Sequence, residues 1–315
     1  MLKPLFKSFT LFFLLISCTY SSQVYLTLIK EVTLSSTPFD IIINEGIAYV
    51  LTSNALLGFT TSDPYNPQQT SYGELSGTSS IAFTGRFAYS LSSSGIKLYD
   101  FTKNPPVRRN IVSITGRIKK LVIDNGYLYI LNEDAGLQVY DVNVGDFPIF
   151  KNTQVVPFNS NGIFIKDKKA YITSSNANLS IIDVGDLSKL PIIGSYNVGV
   201  SFYEPYVDGN YAYIPQGTGG VQVLNITKLP FPEWVTNLFA RKSARQVVSS
   251  NFYVWVADEF TIEGFFNKSD KSFYYAGNYD NQDAVINRIA LIEGKYIYMC
   301  SSDNKLKILR IDYKY

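Results

Sequence analysis

Residues 126–142, GYLYILNEDAGLQVYDV, alternate apolar and other side chains on either side of a short turn. Tyr127, Tyr129 and Leu131 precede the turn, and Leu137 and Val139 follow it before Asp141. Alternation with period two around a Gly-containing turn predicts a β-hairpin. The same pattern recurs along the chain. Aligned on the aromatic that closes the first strand of the hairpin, the copies fall at Tyr49, Tyr89, Tyr129, Tyr171, Tyr213, Trp255 and Tyr298, with spacings of 40, 40, 42, 42, 42 and 43 residues. Ala precedes the aromatic at Ala48, Ala88, Ala170 and Ala212. Eight and six residues upstream are Ile41/Ile43, Ile81/Phe83, Leu121/Ile123, Ile163/Ile165 and Ala290/Ile292, with weaker copies at Pro205/Val207 and Val247/Ser249. Eleven or twelve residues downstream stand Thr60, Asp100, Asp141, Asp183, Asn225, Asn267 and Arg310.

A period of 40–43 residues holding four short strands predicts an all-β, seven-bladed β-propeller with blades of about 42 residues. Helical repeats of similar period need apolar residues at i, i+3 and i+4, which these segments lack. In the third repeat the strands are expected near 119–124, 127–131, 137–140 and 149–156. Asp100, Asp141, Asp183 and Asn225 are expected to serve Asx-type turns after the third strand, accepting N–H groups two residues on. Pro105, Pro148 and Pro191 follow in loops that tolerate a missing donor. The seventh repeat ends after its third strand, and the strand-like segment 24–34 belongs to no complete repeat. That segment is expected to complete the last blade and close the ring, removing an open sheet edge.

The strand ends Leu137-Gln138-Val139-Tyr140-Asp141-Val142 and Leu179-Ser180-Ile181-Ile182-Asp183-Val184, with the Ala-Tyr strand upstream, resemble the LVIVD-repeat proteins, bacterial propellers often carried on lipoproteins. The resemblance covers nearly all of the chain beyond residue 17, with clear motifs in repeats two to five; repeats one, six and seven lack the Asp. It implies blades and no particular reaction.

The first residues read differently. Lys3 and Lys7 precede the apolar run 11–16, which is too short to span a bilayer, and Leu15-Ile16-Ser17-Cys18 resembles a lipobox. The expected organisation is a lipoprotein signal peptide over 1–17, a short tether over 18–23 with lipid on Cys18, and one propeller domain over 24–315. The expected location is the bacterial cell envelope, at the outer membrane. Removing residues 1–17 leaves 26 Lys+Arg against 26 Asp+Glu. A neutral chain argues against nucleic acid as a partner. With Cys18 acylated, Cys300 is left alone in an alternating apolar run, as a buried structural thiol.

The chain has no His, which excludes Ser-His-Asp and Cys-His catalysis and removes the commonest metal ligand. No cofactor and no metal site is expected. Gly217-Thr218-Gly219-Gly220 lies between strands as a hairpin turn, without the Lys of a phosphate loop. The pairs Glu133-Asp134 and Asp258-Glu259 could support glycoside hydrolysis if carboxyls converged in a pocket, but adjacent carboxylates in turns ordinarily face solvent. The expected function is therefore a monomeric, non-catalytic binding or scaffolding platform for an envelope or extracellular protein or glycan, with an envelope hydrolase as the alternative. The candidate binding face carries the loops between second and third strands and between blades, where repeats diverge most: Arg117, Glu133, Asp134, Tyr203, Glu204, Arg241, Asp258, Glu259 and Asp283.

Overall fold

The alternating segments all form strands. The computed structural model describes residues 23–314, apart from Ser76, 93–94, 144–146, Ala177, Val200, Phe202, Asn251, 269–271 and Asp283, and apart from the side chains of Tyr72 and Ile111. Cys18, the expected signal peptide over 1–17 and Asp283 thus lie outside the described residues. Seven four-stranded antiparallel sheets follow one another, six of them over 38–74, 78–112, 118–154, 160–197, 206–238 and 246–280, with strands adjacent in space in chain order. The seventh takes Ile286–Ile292, Tyr296–Ser301 and Lys305–Tyr313 from the end of the chain and Val24–Thr33 from the start. The closing strand pairs from Val24↔Tyr313 to Thr33↔Lys305. The protein is a seven-bladed β-propeller, closed by its N-terminal strand as the repeat arithmetic required.

Alternation explains where the core sits. One set of side chains on each sheet packs against the preceding blade and the other against the following one. Seven buried clusters result, each built from two neighbouring blades. The repeated aromatics, Tyr49 through Tyr298, are all buried within these inter-blade layers. Turn chemistry sets the hairpins: Asn125 and Gly126 both adopt positive φ, which matches strand twist at a two-residue connection.

The observed register corrects two details, in blades 7 and 6. In blade 7 three residues, 293–295, turn between Ile292 and Tyr296, where blade 3 uses two. The pair equivalent in register to Leu121/Ile123 is therefore Ile289/Leu291, not Ala290/Ile292. In blade 6 a shorter turn between the second and third strands brings Phe266, not Asn267, opposite Tyr253. In blade 5 the innermost strand is reduced to Tyr206–Asp208, starting directly after Pro205, whose missing N–H ends the ladder.

Because every pairing is antiparallel, the two ends of the propeller differ. At the lower face lie the turns joining innermost to second strands and third to outermost strands. At the upper face lie the turns joining second to third strands and the connections between blades.

Candidate functional site: a plugged central channel

The seven innermost strands surround a channel of about 860 Å³. Its walls are half-buried apolar side chains, including Ile42, Phe83, Val122, Ile123, Phe164 and Leu291. The lining continues to Glu293 and Gly294 at the lower face. Toward the upper face it ends at Asp40, Lys120, Glu204 and Arg288.

Those four residues belong to one ring of equivalent positions, nine residues before the repeat's aromatic and ten before it in blade 7: Asp40, Ser80, Lys120, Gly162, Glu204, Gln246 and Arg288. Two members tie neighbouring blades. Ser80 Oγ accepts from the Leu121 N–H at 3.2 Å. Gln246 exchanges two 2.8 Å hydrogen bonds with the Ile289 backbone. The charged members cross the channel instead. Lys120 Nζ reaches Glu204 Oε1 at 2.5 Å and Asp40 Oδ2 at 3.8 Å. Arg288 Nε reaches Asp40 Oδ1 at 3.1 Å, and its Nη2 forms a close ion pair with Glu204. Two cations and two carboxylates from blades 1, 3, 5 and 7 thus form a neutral plug.

The fold makes room for this plug at one glycine. A Cβ at Gly162 would come within 2.7 Å of the Tyr203 carbonyl oxygen and 2.8 Å of Glu204 Cα. Only hydrogen at that ring position lets the 203–204 connection pass inward, where Thr173 Oγ1 holds the Tyr203 carbonyl at 2.9 Å. Burial works to raise the Glu204 carboxyl, but Arg288 and Lys120 outweigh it and hold it down to about 2. Behind the plug, burial pushes the Cys300 thiol well above its ordinary range, in keeping with a structural residue.

The other upper-face candidates are committed locally. Arg117 pairs with Asp134 at 2.8 Å and Glu133 at 3.3 Å. Asp258 is fully buried and accepts from the Phe260 and Thr261 N–H groups at 2.8 and 2.7 Å, so it is a turn residue. Glu259 pairs with Arg245 at 2.6 Å. Arg241 reaches the buried Glu263 at 3.2 Å. Glu204 leaves this surface for the channel. The expected Asx turns are present: Asp100, Asp141, Asp183 and Asn225 accept from the N–H of Thr102, Asn143, Gly185 and Thr227 at 2.8–3.0 Å. Among the described residues no three His, Cys, Asp or Glu side chains gather as metal ligands.

Asp40, Lys120 and Arg288 escaped the sequence reading, although their signal was available. Positions eight and six before the aromatic are mostly apolar; the polar column one residue further upstream is the ring.

The fold and the site can be set beside known proteins. The LVIVD repeat family matches residues 159–198, which is blade 4 almost to the residue. No curated protein matches the chain. Among solved structures, the crystal structure of the computationally designed Ika8 protein is similar over 87% of this chain and 83% of that one, with a TM-score of 0.63 and 11% identity. At that identity the likeness concerns the fold alone.

Proposed function

We propose that this protein is a non-catalytic binding platform of the bacterial cell envelope, exported and held at the outer membrane through lipid on Cys18. The observation that carries the binding role is the channel, blind at one end, apolar along its walls and closed by a charge-neutral plug. A concave apolar cavity with a few convergent polar groups is the general form of a ligand site. The ligand it suits is an uncharged apolar molecule, or the apolar part of an amphiphile, entering from the lower face. The upper face, with its paired charges, is left to present to a protein or glycan partner.

The carboxylates favour binding over hydrolysis. A glycosidase needs one carboxyl raised so that it can donate a proton. Two of the channel carboxylates are committed to the plug: Glu204 is held the other way by two cations, and Asp40 pairs with the same two. Glu263, whose carboxyl burial does raise, lies outside the channel beside Arg241. Asp258 serves a turn, and Glu259 serves Arg245.

N-phenyl-1-naphthylamine, an uncharged apolar fluorophore, tests this reading. The chain from Gln23 onward should bind it saturably at one site. Val122→Trp, which fills the channel, should remove that binding while leaving the melting temperature within a few degrees. Absence of saturable binding, or unchanged binding in Val122→Trp, would remove the channel from consideration.

A further inference from the structure

The outer circumference of the propeller is asymmetric. Exposed large apolar side chains gather at the lower-face ends of the outermost strands and in the loops leading into them. Phe147 and Phe150 lie there in blade 3, Phe231 and Trp234 in blade 5, Tyr275 in blade 6 and Tyr25 in blade 7. Phe231 is 77% exposed and Trp234 57%. Among the described residues the exposed large apolar side chains away from this end are Val155, Phe158 and Phe239, at the upper face, whereas Leu28 stands level in register with Phe150 and Trp234. Apolar surface on this scale marks an interaction site.

We propose that the lower face rests on a lipid surface, its aromatic girdle entering the headgroup boundary. Three observations choose lipid. First, the girdle is rich in aromatics whose polar atoms are already satisfied. Trp234 Nε1 donates to Asn237 Oδ1 at 2.9 Å, and the Tyr275 hydroxyl donates to Asn278 Oδ1 at 2.7 Å. Amphipathic rings of this kind favour the membrane–water boundary. Second, charges of both signs are mixed at the same end: Lys166–Asp208, Lys151–Asp141, Lys228–Glu233 and Arg310–Asp312 pair at 2.6–3.0 Å, and Glu45, Asp124 and Asp167 stand with Arg86, Lys168 and Lys295 in or beside its turns. The face carries no strong field of one sign, so an apolar layer under neutral headgroups complements it better than an anionic partner. Third, the closing strand begins at this end, because Val24 pairs with Tyr313 at the lower-face end of its blade. The six residues from Cys18 to Val24 can span at most about 20 Å. A lipid on Cys18 would therefore hold this face, and not the upper one, against the bilayer. No described helix is long and apolar enough to cross a membrane.

The proposal agrees with the anchor at Cys18 without depending on it, and its test omits the anchor. The chain from Gln23 onward contains every strand of the closed ring and carries no lipid. It should float with phosphatidylcholine vesicles, and flotation should change little between low and high salt. Phe147→Ser, Phe231→Ser and Trp234→Ser together should weaken partition by at least ~10-fold, because each removes a ring from the boundary. The matching upper-face variant, Val155→Ser with Phe158→Ser and Phe239→Ser, should float like the parent, and both should keep their melting temperatures. Trp234 reports contact directly. The only other tryptophan, Trp255, is buried, so brominated lipid should quench Trp234 selectively. Failure to float would overturn the proposal, as would flotation that collapses in salt or an equal loss in the upper-face variant. A vesicle-free dimer that dissociates in the lower-face variant, with no flotation of the parent, would give the girdle to a second copy of the chain. Channel binding of the fluorophore is measured without vesicles, so the two readings fail separately.

Discussion

Glu204 shows how one side chain can be surface-like in sequence and structural in space. It sits in a connection between blades, beside Tyr203 and Pro205, where a charged residue ordinarily faces water. The Gly162 gap and the Thr173 hydrogen bond turn it inward to meet Lys120 and Arg288. Removing its charge leaves two mostly buried cations with only Asp40 between them, and breaking a buried ion cluster this way costs about 3 kcal/mol. Glu204→Gln should lower the urea midpoint at pH 7 accordingly. Since the folded carboxyl lies at about 2 and the unfolded one near 4.5, the stabilisation is full above pH ~4.5 and drains away as pH falls toward 2. Parent and variant should therefore converge in acid; a constant gap down to pH 2 would show that the charge is not what matters. Glu263 has the opposite sign. Burial, reinforced by the charge of Asp258 and opposed by Arg241, pushes its carboxyl up to about 7, and its Oε2 has no hydrogen-bond partner. Between pH ~4.5 and 7 the unfolded chain releases a proton that the folded one keeps, so stability falls as pH rises through that window. Glu263→Gln should be more stable than the parent at pH 8, by about 2 kcal/mol, and nearly equal at pH 4.5. An identical difference at both pH values would refute the shift.

At the scale of strands and turns, most of the architecture was written in the alternation. Aromatic positions 40–43 residues apart marked the second strands, and the polar strand ends marked the Asx turns, because each blade must bury the same faces against its neighbours. The errors fell where a turn changes length. The extra residue in 293–295 moves the inner strand of blade 7 by one position, and a one-residue slip exchanges buried for exposed faces. Spacing alone cannot say on which side of the aromatic an insertion lies. The plug was legible only in part. Its residues occupy one repeat column, but their meeting depends on reach across a channel, between blades 3, 5 and 7 that are about 84 residues apart in sequence. The girdle was less legible still. An exposed Phe and a core Phe look alike in a strand that alternates, and only the position on the outermost strand separates them.

At the scale of the whole molecule, stability depends on how the ring is held shut. Neighbouring blades meet chiefly through side chains, with isolated backbone hydrogen bonds such as the 2.7 Å bond from the Ile286 N–H to the Glu259 carbonyl, whereas within blade 7 a backbone ladder from Val24↔Tyr313 to Thr33↔Lys305 joins the two ends of the chain. The Lys314 N–H also donates to the Gln23 carbonyl at 3.2 Å, so a short linker could join the ends without moving either strand. Two circular permutants then separate ladder closure from side-chain closure. In one, the new ends fall between the third and outermost strands of blade 2, within 101–106, and the ring is again closed by a strand from the opposite end of the chain. In the other, they fall between blades 2 and 3, within 113–117, and every blade is continuous. Opening the second ring requires only that one inter-blade layer part, whereas opening the first must also break a ladder of strand hydrogen bonds in the same step. Both should fold to the same circular-dichroism spectrum. The permutant cut between blades should unfold in denaturant at least ~10-fold faster, corresponding to about 1.4 kcal/mol in the barrier. Equal unfolding rates would mean that the inter-blade cores hold the ring by themselves and that the closing strand serves chiefly to cover an edge.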